Sequence, residues 1–184
     1  MRIVCLASGP SLAKDDVEFI RDWRGPGRQV IAVNRTFEIA PWADHFVGCD
    51  RTFWLRYGKL IQPLGGVMWS ASEKIEYANR LPQKFGNSGA TAIYLAQHLG
   101  AMGIYLLGYD LSYRNGRRHW HDDYPRGMGN AGSIKSWGGH FDALTISVPV
   151  VNCTADSALR KWPYRPIREA LHEPEIDTAL SGVC

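Results

Sequence analysis

The stretch RRHWHDDYP, residues 117–125, gathers two histidines, two aspartates and two arginines. On extended chain, alternate residues share a side, so His119, His121 and Asp123 project together. Imidazole and carboxylate are familiar ligands of a divalent cation. The same imidazoles, with an ordinary pKa near 6.5, also suit a general base at neutral pH. Arg117 and Arg118 favour the second use, because their charges would steady a departing phosphate. The residues are therefore read as a proton-transfer set, and no metal ligands are assigned. His140 competes with His119 and His121 for the role of base, since it follows Gly138-Gly139 and precedes FDAL, as if starting a helix at the same pocket.

A second group of polar residues sits just behind apolar runs. LASGPSL, residues 6–12, turns abruptly from a first apolar run into an amphipathic segment, presenting Ser8, Gly9, Pro10 and Ser11. AVNRTF presents Asn34 and Arg35, GCDR presents Asp50, and LLGYDL presents Asp110. GNSGA presents Asn87, Ser88 and Gly89 at the head of another helical pattern, and NCTADSAL follows the last run. Helix N-termini carry unpaired N–H groups and a partial positive charge that favour phosphate. Ser11 and Ser88 also fit an ordinary helix cap. Asp15 and Asp16 already complement the helix after Ser11, so that turn suits a sugar or a neutral part of a nucleotide. No acid follows Ser88, which makes Asn87–Gly89 the better anion site. Neither GxxxxGK[ST] nor GxGxxG occurs.

These residues need elements to hold them. Apolar runs at 2–7, 29–34, 45–48, 67–70, 103–108 and 148–153 are short, bounded by Gly, Pro or Asp, and lack polar alternation. Such runs are strands covered on both faces. Between them, 11–23 and 90–102 repeat apolar residues at helical spacing, the latter with small alanines suited to packing on a sheet. Strand–helix alternation predicts a mainly parallel sheet with right-handed crossovers and helices on both faces, a Rossmann-like α/β domain over residues 1–171. In such a sheet, ligands bind outside the carboxyl ends of the strands, where the polar turns collect. Residues 109–136 keep no period and read as a long lid, which composition predicts to be mobile until ligand binds. Residues 172–184 read as a loosely attached tail. Trp120 and Trp137, in the Gly-rich region, are candidates to stack on a base or sugar.

Composition narrows the partners. The 184 residues carry 21 basic and 18 acidic side chains, a net charge of +3 too mild to call for nucleic acid. Four well-separated cysteines form no CxxC pair, which argues against a disulfide framework or zinc knuckle. No apolar stretch is long enough for a signal peptide or a membrane span, so a cytoplasmic location is expected. Self-association is left open.

VCLASGPSL, AVNRTF, NSGATAIYLAQHLGAMGIYLLGYDL and VVNCTADSAL resemble, in order, segments of the bacterial lipooligosaccharide sialyltransferases. They are also similar to the MptE-like (6-hydroxymethylpterin diphosphokinase-like) and phage-borne proteins with the same Rossmann-type domain. The resemblance covers most of residues 1–162. It implies that Ser8–Ser11, Asn34 and Asn87–Gly89 surround a cytidine nucleotide. Ser8 stands where those transferases have asparagine, and Asp50 is the polar residue after the third strand. It further implies a histidine base and phosphate-contacting tyrosines in the lid, for which His119, His121, His140, Tyr113 and Tyr124 are candidates. The leading expectation is a glycosyltransferase using a CMP-linked sugar donor and an acceptor the sequence does not name. The alternatives are a Mg²⁺-dependent diphosphokinase-like enzyme, with Asp50, Asp110, Asp122 and Asp123 near the cation, and a non-catalytic nucleotide-binding phage protein.

Overall fold

A computed structural model describes residues 1–129, 132 and 134–172. Seven strands form one sheet, and every neighbouring pair is parallel. They are β1 (Arg2–Leu6), β2 (Arg28–Val33), β3 (His45–Gly48), β4 (Val67–Ser70), β5 (Asn79–Arg80), β6 (Gly103–Leu107) and β7 (Val150–Asn152). The spatial order is β5-β4-β3-β2-β1-β6-β7. The expected Rossmann-like α/β architecture is present. All six expected strands appear, β3 and β4 with the expected ends and the other four with ends shifted by one or two residues, and the two-residue edge strand β5 is an addition.

Alternation along each strand builds two cores. Val4 and Leu6 face one way with Val30, Ala32, Phe46 and Tyr105, against α1 (Lys14–Trp23), α2 (Arg51–Ile61) and α5 (Ile167–His172). Ile3, Cys5 and Ala7 face the other way with Ile31, Val33 and Leu106, against α3 (Ser88–His98) and α4 (Gly138–Asp142). Both faces are thus dry, which is why the strands show no polar alternation. Cys5, Cys49 and Cys153 are free, buried thiols within this packing.

The order reverses once, beside β1. Chain that has walked outward from β1 through β2, β3, β4 and β5 returns along α3 and re-enters the sheet as β6 on the opposite side of β1. Helix α3 packs across β1, β2, β3 and β6, and its Ala90, Ala92 and Ala96 are fully buried. Small side chains allow that close approach, and in sheets of this kind the crevice beside such a reversal, at the carboxyl ends of the strands, is where ligands bind.

Residues 109–129 are not a loose flap throughout. Tyr109, Asp110, His119, His121 and Tyr124 are all buried, and the Trp120 amide donates to the Ser8 carbonyl at 3.2 Å. The expected tail begins differently as well: His172 closes α5 and its ring lies 5.9 Å from Phe19. Residues 173–184 lie outside the described residues. No helix among the described residues is long and apolar enough to cross a membrane.

Candidate active site

A cleft of about 300 Å³ occupies the crevice at the carboxyl ends of the strands. Its floor is the turn Ser8-Gly9-Pro10, and Asn34 and Asp50 follow from β2 and β3. Asn87, Ser88 and Gly89 border it from the N-terminus of α3, and Asp110 borders it from the loop after β6. The structure thus brings together residues from five segments that are distant in sequence. His119 and Tyr124 close one wall, and Trp137 and Phe141 contribute aromatic surface.

The first turn is closed by the protein itself. Asp110 Oδ2 accepts from the Ser11 hydroxyl at 2.7 Å and from the Ser11 amide at 3.3 Å. Its Oδ1 faces Arg114 Nε at 2.6 Å, and Arg114 also donates to the Ala155 carbonyl. Gly9 must be glycine, because a Cβ there would collide with the Asp110 carboxylate and the Gly108 carbonyl. Ser11 therefore lies outside the cleft lining, with its donors already used.

The second turn is open. Asn87 caps α3 by accepting from the Ala90 amide at 2.8 Å, and no acid lies in the first turn. The Ser88 hydroxyl accepts from the Cys49 amide at 3.1 Å, which ties the end of β3 to the head of α3. His140, on α4, lies outside the cleft lining. Its Nδ1 accepts from Asn87 Nδ2 at 3.1 Å, since Asn87 Oδ1 is already committed to the cap. A Cβ on Gly86 would strike the same imidazole. Lys161 Nζ donates to the Phe141, Asp142 and Leu144 carbonyls at 3.0, 2.9 and 2.8 Å, capping α4 and fixing the aromatic wall.

His119 and His121 form a stacked pair, with centroids 4.7 Å apart and planes 13° from parallel. Tyr124 meets both rings edge-on at 5.4 and 5.0 Å. Burial lowers the pKa of His119 and drives that of His121 down to about 4. Both rings are thus neutral at pH 7. His119 is hydrogen-bonded to the Ser8 backbone, and its buried Nε2 has no partner. With Nδ1–H donating to the Ser8 carbonyl, the neutral ring keeps its lone pair on Nε2, available for a proton. His121 lies outside the cleft lining, and its Nδ1 is 2.5 Å from the Asp122 carbonyl. Burial also raises the Tyr124 hydroxyl pKa, so Tyr124 is a neutral donor.

Arg35 lies outside the cleft lining too. Its guanidinium grips Glu38 at 2.6 and 2.9 Å and donates to the Asp122 carbonyl at 3.1 Å, clamping the histidine loop to the end of β2. Tyr113 is 45% exposed in the neighbouring loop and also lies outside the lining. The segment after β7 plays another part than the expected one. Ser157 Oγ donates to the Tyr109 carbonyl at 2.5 Å and the Ala158 amide donates to the Asp110 carbonyl at 2.8 Å, bracing the loop from behind.

Gly86, Ser112 and Ile134 join the lining without having been assigned to it from the sequence, and Arg118, which the sequence offered as a charge beside a departing phosphate, lines it too. Arg118 had a signal, as one of three arginines crowding that loop. The others had none, because nothing local says which way a loop faces. Asn34 adopts φ 51°, a left-handed conformation that Asn tolerates better than most residues.

Of the four carboxylates considered for a cation, Asp50 and Asp110 border the cleft and Asp122 and Asp123 do not line it. Asp110 is held by Ser11 and Arg114, Asp123 faces Arg118 at 3.6 Å, and Asp122 is exposed. Among the described residues no three His, Cys, Asp or Glu side chains are arranged around a metal position. Comparison with protein-family models, curated proteins and solved structures found no match.

Proposed function

We propose that the cleft binds a nucleotide and that the protein is a nucleotide-sugar-dependent glycosyltransferase using a CMP-linked donor. The observation that carries the reading is the position of His119 Nε2. The cleft lining includes His119, whose buried, neutral imidazole has a nitrogen without a partner, together with Arg118 and the first turn of α3. Buried unpartnered polar atoms are costly, about 1–3 kcal/mol, and call for a functional account.

In this reading the donor phosphate lies at the Ser88 and Gly89 amides with Arg118 beside it, and the base rests against Trp137 and Phe141. The acceptor hydroxyl attacks the anomeric carbon of the donor sugar while the bond to the phosphate oxygen breaks. The hydroxyl proton passes to His119 Nε2, and the nucleoside monophosphate leaves with the bonding electron pair. Arg118 and the helix terminus offset its developing charge. His121 stacks behind the base, and His140 orients Asn87.

Thermal unfolding with CMP, CDP, UDP, ATP and CMP-sialic acid, each with and without Mg²⁺, tests the binding step. A ligand at 100 times its Kd stabilises by about 2.7 kcal/mol. Release of free CMP from the sugar donor tests the reaction, and His119→Ala should slow it by roughly 10²–10⁴ with nucleotide affinity retained. Wild-type turnover in His119→Ala removes that base. Binding of CMP-sialic acid with no release in wild type would leave a nucleotide-binding protein.

A further inference from the structure

We infer that Asp110 is a specificity-determining residue, an internal stand-in for phosphate that closes the β1–α1 turn and limits the cleft to ligands with a single phosphate. The inference rests on the nucleotide reading above and adds the reason one turn is open and the other shut.

Two strand-to-helix turns border the cleft, the β1–α1 turn through Ser8, Gly9 and Pro10 and the α3 turn through Asn87, Ser88 and Gly89, and either carries amide and hydroxyl donors. At the β1–α1 turn, both Ser11 donors converge on Asp110 Oδ2, at 2.7 and 3.3 Å. Asp110 is 2% exposed and still lines the cleft, so its carboxylate stands between the ligand space and Ser11. The position is built rather than incidental. Gly9 leaves room for the carboxylate, Arg114 pairs with its second oxygen, and the Ala158 amide holds its backbone carbonyl. A second phosphate reaching for this turn would meet a carboxylate in place of donors. Because Arg114 offsets much of the charge, the exclusion comes mainly from donors already spent. At the α3 turn the side chains are oriented by their own partners, and the Ser88 and Gly89 amides have no protein acceptor among the described residues. One anion position remains.

Two measurements on the full chain test this. Inorganic phosphate titrated into the wild-type protein should move the Ser88 and Gly89 amide resonances and leave Ser11 unmoved. Movement of Ser11 would overturn the inference whether or not any nucleotide binds. Calorimetry with CMP and CDP should show no gain from the second phosphate in wild type. In Asp110→Ala, affinity for CDP relative to CMP should rise roughly tenfold, the size of one charge-assisted hydrogen bond. An unchanged ratio would overturn the inference. If wild type binds neither nucleotide, the functional reading fails separately. Phosphate-induced movement of Ser11 in Asp110→Ala then upholds the role of Asp110, and its absence overturns it. Should Asp110→Ala not fold, the wild-type titration decides alone.

Discussion

His119 and His121 are held neutral by burial, and that has a consequence for stability. In the unfolded chain both titrate near 6.5. In the folded chain His121 titrates at about 4, and His119 is lowered in the same direction. Between those values the unfolded chain binds more protons, so stability is fully present above about pH 6.5 and is lost as the pH falls toward 4. The surrounding charges do not reverse this. Arg35 and Arg118 oppose protonation, while Glu38 and Asp123 favour it more weakly than burial resists it. Denaturant unfolding at a series of pH values should therefore show stability falling through that window. In His121→Gln the fall should be shallower, and an equal slope would show that this imidazole stays protonatable in the fold.

At the scale of elements, the decisive contact is the clamp from Arg35 to the loop carrying those histidines. Composition alone predicts a mobile lid, since the Gly-rich chain of 109–136 has no core-forming period. What it omits is anchorage supplied from elsewhere: Arg35 Nη1 on the Asp122 carbonyl, Ser8 accepting from Trp120, and Arg114 on Asp110. Such contacts join residues scores of positions apart and leave no local trace. The Trp120 amide should accordingly resist hydrogen exchange without ligand. Arg35→Ala should speed its exchange and cost roughly 1.5–3 kcal/mol, typical of a hydrogen bond to a charged group. Equal exchange in the variant would show that the loop packs without the clamp. Helix α2 teaches the opposite lesson. Phe53, Trp54, Tyr57 and Ile61 are buried at helical spacing, so its period was available in the sequence. The aromatic, β-like composition and an internal Gly58, which accommodates the Tyr77 ring, disguised it.

Across the whole molecule, the sheet and the site are linked by a single reversal of strand order. The polar residues after β1, β2, β3 and β6 could be listed from sequence because parallel strands put all such ends on one edge. Which of them face the cleft could not, because Ser11 and Asp110 satisfy each other only once β1 and β6 are neighbours. Helix α3 joins both levels: its first turn borders the cleft, and its body lies across four strands. These two functions should separate experimentally. Ile93 is fully buried in the core beneath α3 and does not line the cleft. Ile93→Ala should cost about 2–5 kcal/mol by leaving a cavity between helix and sheet. Measured well below the melting temperature, its CMP affinity should stay close to that of wild type, because the Asn87 cap and the Ser88–Cys49 contact are independent of that side chain. A large loss of affinity in the folded variant would mean that the helix slides as a unit, carrying its first turn away from the cleft.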